Sequence, residues 1–78
     1  MSSATWATVQ QDPFQLGMMY STGGSNSADM IAAHKWFNIA AMRGNAEAAR
    51  LRREIAEEMS EAEIAAAQRE ARAWVTRH

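Results

Sequence analysis

The stretch MIAAHKWFNIAAMRGN, residues 30–45, decides the fold. Ten of its first thirteen residues are apolar, and only His34, Lys35 and Asn38 break them with a narrow polar stripe. A helix that is apolar almost all round is a buried helix. Its strongest face is Ala33, Trp36, Phe37 and Ala40, at helical spacing, and a second apolar line runs through Ile31, Ile39 and Met42. The helix is therefore expected to be covered on two sides, with Trp36 among the most buried residues. Arg43-Gly44-Asn45 stops it, and its start falls near Asp29, or up to two residues earlier with Ser27 as the cap.

Toward the N-terminus, Asp12-Pro13 opens another helix. Asp caps exposed N–H groups, and Pro at the first helical position has no N–H to leave unpaired. This first helix is expected from Pro13 to about Tyr20. It gives way to Ser21-Thr22-Gly23-Gly24-Ser25-Asn26-Ser27, residues that favour turns and bond their own main chain. Residues 1–11 are too short and polar to form a core and read as a tail around Trp6 and Val9. Toward the C-terminus, a third helix spans about Ala46 to Glu58. It puts Ala48, Leu51, Ile55 and Met59 on one stripe, with Arg50–Glu54 and Arg53–Glu57 as exposed i, i+4 pairs. Ser60 and Glu63 form a capping box, with Met59 and Ile64 placed as a hydrophobic staple. A fourth helix follows to about Thr76, burying Ile64, Ala67, Ala71 and Trp74 or Val75. Short connections between four helices imply an all-α fold of antiparallel neighbours, hairpin stacked on hairpin.

Seventy-eight residues make one domain, near the size below which a single core rarely stabilises a fold by much. No cysteine is present, so neither disulfides nor thiolate metal sites reinforce it. The net charge of −1 is unevenly laid out, since residues 1–33 carry only Asp12 and Asp29 and no Lys or Arg. Arg43 and beyond hold seven basic and seven acidic side chains. A nucleic-acid binder needs an excess of Lys and Arg on one face, and the pattern here gives none. There is no run of about 18 apolar residues for a membrane span. MSSATWATVQQ has neither a basic nor an apolar leader region, so the expected location is the cytoplasm.

A further pattern lies in the spacing of Leu16-Gly17, Tyr20, Gly23, Asp29, Ala33, Trp36, Ala40-Ala41, Gly44 and Ala48. It resembles one Sel-one-like repeat, a helix–loop–helix unit related to the tetratricopeptide repeats. The resemblance covers about residues 14–48 and is closest from Ala33 to Asn45. Each position has a mechanical reason. Gly17 lets the partner helix approach, Leu16 and Tyr20 lie one turn apart on the inner face, and Trp36 fills the space between the helices. Ala40 and Ala41 keep the crossing tight, and Gly44 turns the chain. The sequence departs from the family at Gly23-Gly24-Ser25-Asn26, where Gly-x-Gly-Val is usual, at Ala32, where Lys is common, and at Asp12, where the family has an alanine. The register of a second repeat breaks after Ala48. The expected organisation is a tail (1–11), one repeat (12–48) and capping helices (49–78), with tetratricopeptide-like, right-handed repeat stacking.

Residue types that carry chemistry have plainer roles here. His34 is mid-helix and His78 is terminal, with no H-x-x-x-H or E-x-x-H motif to build a metal site. His34 is expected to be solvated or hydrogen-bonded beside Asn38. The acids Glu54, Glu57, Glu58 and Glu61 alternate with Arg across a helix end and read as a solvated face rather than paired catalytic carboxylates. Thr22-Gly23-Gly24-Ser25 precedes a helix, but it lacks a Gly-Lys-Ser/Thr ending and a preceding strand, so turn chemistry explains it better than phosphate binding. Ser21, Ser25, Ser27 and Ser60 have no evident His–Asp partners. Met30, Met42 and Met59 read as core filling at element ends. Met18 is expected on an outer face with Gln15 and Thr22, where the family resemblance implies a recognition surface.

The resemblance implies a protein-interaction module, adaptor or scaffold, without catalysis, metal or cofactor. The expected partner-binding residues are Gln15, Met18 and Thr22, with His34, Lys35 and Asn38 as a second polar surface. One repeat leaves a face uncovered, so a homodimer is expected, with Trp6 and Val9 at its interface. The rival reading is a structural homo-oligomer whose repeat face binds its own copy. A weaker one is a small regulatory DNA-binding protein, which would need an unpaired basic helix.

Overall fold

The computed structural model describes residues 12–23 and 26–77. The tail with Trp6 and Val9, the turn residues Gly24 and Ser25, and His78 lie outside the described residues. The protein is all-helical: α1 (Pro13–Gly23), α2 (Ser27–Met42), α3 (Ala46–Ala56) and α4 (Glu61–Arg77). No helix among the described residues is long and apolar enough to cross a membrane.

Local chemistry sets the boundaries. Asp12 Oδ1 accepts the Phe14 N–H at 3.1 Å and starts α1. The helix then runs three residues past Tyr20, through Gly23. The hydroxyls of Ser21 and Thr22 fold back to the Met18 carbonyl at 3.1 and 2.9 Å, bonds that a helical backbone places within reach. The cap of α2 is Asn26 rather than Ser27. Asn26 Oδ1 accepts the Asp29 N–H at 2.8 Å, while its Nδ2 donates to Asp29 Oδ2 at 3.1 Å. At the far end, Asn45 N–H donates to the Ala40 carbonyl at 3.1 Å and Gly44 N–H to that of Ala41 at 3.0 Å. Gly44 sits at φ +99°, the left-handed turn that closes helices this way and favours glycine. Asn45 at once caps α3, accepting the Ala48 N–H at 2.9 Å. The Ser60–Glu63 box forms as expected, with bonds of 2.8 and 3.1 Å.

Helix α2 is the hub: α1, α3 and α4 each pack extensively on it and only slightly on one another. α1 runs antiparallel to α2, and its Phe14 and Gly17 meet Phe37. α3 is also antiparallel to α2, reaching Asn38 through Arg52. α4 runs parallel to α2, fixed at one end by Ser27 donating to Glu63 and at the other by Trp36 against Trp74. The fourth helix thus follows the third in a tight reversal, yet its main partner is the second.

The core is Ala33, Phe37, Ala40 and Ala48, flanked by Phe14, Met18, Tyr20, Leu51 and Ile55. Phe37, fully buried, fills the space assigned above to Trp36. A Cβ on Gly17 would lie 2.6 Å from two atoms of the Phe37 ring, so the ring rests on the bare backbone of α1. Trp36, one residue earlier and about 100° round the helix, is only half-buried. It takes Trp74 edge-on at 5.4 Å. Ile39, Met59, Ala67 and Ala71 are buried as their spacing implied, whereas Met42 and Val75 remain exposed.

Candidate interaction site

The two expected recognition sets occupy different environments. On α1, Gln15 and Thr22 are exposed, but Met18 turns inward against the core cluster. Met19 takes its place on the outer face, 62% exposed. Met18 lies one turn on from Phe14, which meets Phe37, and shares its inward side. On α2, His34 is buried, not solvated: its residue is 3% exposed and its Nδ1 has no hydrogen-bond partner. Burial, and then the positive charge of Arg52, hold its imidazole below the ordinary value of 6.5. Asn38 accepts from Arg52 Nη1 at 2.6 Å rather than bonding His34. Lys35 is half-buried, its Nζ 4.5 Å from the centre of the Trp36 ring. His34 is thus closed off from solvent, while Asn38 and Lys35, both half-buried, are engaged by Arg52 and Trp36.

Sequence reasoning missed a groove where the end of α1, the first half of α2 and the second half of α3 converge. It encloses about 310 Å³. Met30, Ala33, Phe37, Leu51 and Ile55 make its apolar floor and walls, and Ser21, Glu54 and Glu58 stand at its polar edge. Both halves of this lining were visible in the sequence, as the α2 face and as the Leu51–Ile55 stripe. Ala40 and Ala48 belong to the closed core, while Ala33 lies in the opening with Met30, Phe37, Leu51 and Ile55.

The carboxylates at this end differ in how they are held. Glu54 accepts from Arg50 Nη1 at 2.5 Å, and Arg50 also pairs with Glu47. Arg50 therefore bridges two acids that lie one turn to either side of it, and its guanidinium is held charged by Glu47 first and Glu54 next. Glu63 is pulled below the ordinary carboxylate value by the hydroxyl of Ser27 first and the backbone N–H of Ser60 second.

At the opposite end, Ile39, Met42, Arg43, Trp74 and Val75 surround a smaller hollow of about 210 Å³. Met42 is 54% and Val75 44% exposed, and the Arg43 guanidinium lies 5.2 Å from the centre of the Trp74 ring. No protein-family model, curated protein or solved structure matches the chain.

Proposed function

We propose that this protein is a non-catalytic protein-interaction module of the Sel-one-like repeat type, binding through the groove between α1, α2 and α3. The observation that carries the reading is the groove itself, an apolar opening of about 310 Å³ edged by Glu54 and Glu58. Recognition pockets between helices commonly combine an apolar floor with a few placed polar groups. The helical hairpin of α1 and α2, with Gly17 at its crossing and Gly44 at its exit, supports the repeat resemblance. Its expected role is that of an adaptor or scaffold.

The test is affinity capture from native lysate with the wild type and with Glu58→Lys, an exposed substitution at the groove edge. Circular dichroism first establishes that both are folded. A protein captured by the wild type and lost with Glu58→Lys supports the reading. Capture indifferent to Glu58, or none beyond background together with a strictly monomeric chain, overturns it.

A further inference from the structure

The charges of the molecule are sorted by end. Where α2 and α4 begin and α3 finishes, the sequence places Asp29, Glu54, Glu57, Glu58, Glu61 and Glu63. Where α2 and α4 finish, it places Arg43, Arg72 and Arg77, against the single acid Glu47 at the start of α3. Part of this sorting follows from helix dipoles, which favour acids at a helix N-terminus and bases at its C-terminus. That accounts for α2 and α4. It fails for most of α3, whose C-terminal end carries Glu54, Glu57 and Glu58 against the dipole, with Arg53 as the one base in its last turn. The acidic end is therefore richer than helix stability requires, and it adjoins the apolar groove.

The basic end bears the complementary features. Met42 and Val75 project there from the ends of two parallel helices, with Arg43 beside them. Met42 lies about 18 Å along α2 from Met30 in the groove, at 1.5 Å per residue. On the helical wheel, Met30, Ala33 and Phe37 point to roughly the opposite side of α2 from Ile39 and Met42, at about 100° per residue. One copy therefore cannot fold its own basic end into its own groove. Contact between two different patches on opposite faces of one helix is heterologous, joining one molecule to the next in the same sense.

We propose that copies of this chain associate head to tail, the Met42–Val75 end of one seated in the groove of the next, with Arg43 facing Glu54 and Glu58. The inference rests on the reading of the groove as a protein-binding surface, and it names the occupant as a second copy. Stacking in this sense continues the direction in which helical repeats add to one another. It leaves one groove and one apolar end free in every open assembly.

Sedimentation of the full chain over a wide concentration range is the test, with two variants at exposed positions, Glu58→Lys and Met42→Asp. The wild type is expected to self-associate, less so at high salt because the facing charges are screened. Each variant alone should weaken association at least about tenfold, the order of a lost charge pair or apolar anchor at an interface. Mixed in equal amounts, the two variants should form a species of twice the monomer mass that grows no further. In that mixture one good groove meets one good apolar end, and both spare surfaces are spoiled. If either variant fails to fold by circular dichroism, Glu58→Gln or Val75→Asp replaces it. A wild type monomeric at every concentration overturns the proposal, as does association that both variants leave unchanged or a mixture that stays monomeric. A monomeric chain that still captures a foreign protein through Glu58 removes the head-to-tail assignment while leaving the groove as a binding surface.

Discussion

At the scale of single residues, Phe37 and Trp36 exchange the roles their sequence suggests. Truncating Phe37 to Ala should cost roughly 3–5 kcal/mol, the usual range for a buried large aromatic. Trp36→Ala removes a half-buried ring and one edge-to-face contact, and should cost about 1–3 kcal/mol. Chemical denaturation of the two variants checks the order, and a larger loss at Trp36 would contradict this core. Gly17→Ala sets two effects against each other. Alanine is favoured over glycine inside a helix by about 1 kcal/mol, but here its methyl would enter the Phe37 ring, which is fully buried. Overpacking of this kind costs about 1–3 kcal/mol, so the variant should melt below the wild type. His34 adds a pH dependence. Its pKa in the folded state is below that of the unfolded chain, so the unfolded state binds more protons once the pH drops below about 6.5. Stability should be full above that pH and decline as the pH falls from 7 toward 5, before the carboxylates titrate. Thermal melts of His34→Gln should lose this slope, and an unchanged slope would assign it elsewhere.

At the scale of elements, the caps were legible and the rotation of the helices was not. Asp12, Gly44 and the Ser60–Glu63 box act within a few residues, so local sequence contains all the chemistry involved. The phase of α2 was hidden because its apolar residues circle the helix. Either Trp36 or Phe37 could have faced α1, and only the bare backbone at Gly17 makes the choice. The same ambiguity concealed the burial of His34, whose environment depends on Arg52 arriving from another helix. The groove was illegible for a related reason: periodicity shows which faces are apolar, not whether two of them close completely. The partner of α4 is an element-scale result with a direct test. Deleting residues 60–78 should uncover Trp36 and Ile39 on α2, rather than Leu51 and Ile55 on α3. The product is expected to be unfolded or aggregated by circular dichroism and sedimentation. A soluble, helical, monomeric truncation would show that α1–α3 stand without α4.

At the scale of the whole molecule, the arrangement around α2 has a consequence for how the protein opens. Because α1, α3 and α4 hold on to α2 and hardly to each other, each outer helix can detach while the other two pairings persist. The reverse is not true, since losing α2 removes every extensive contact at once. Local openings with free energies below that of global unfolding are read by native-state amide exchange. Buried α2 amides around Phe37 and Ala40 should exchange only through complete unfolding and give the highest protection in the chain. The amides of α1 and α3, each held by only eleven residues, should form separate, faster classes. Raising denaturant slightly should bring the α1 class forward without moving α2, and a single protection level across all four helices would rule out independent detachment. Evolution of such a chain would then be free to vary one spoke at a time, while substitutions on the axle are felt by all three.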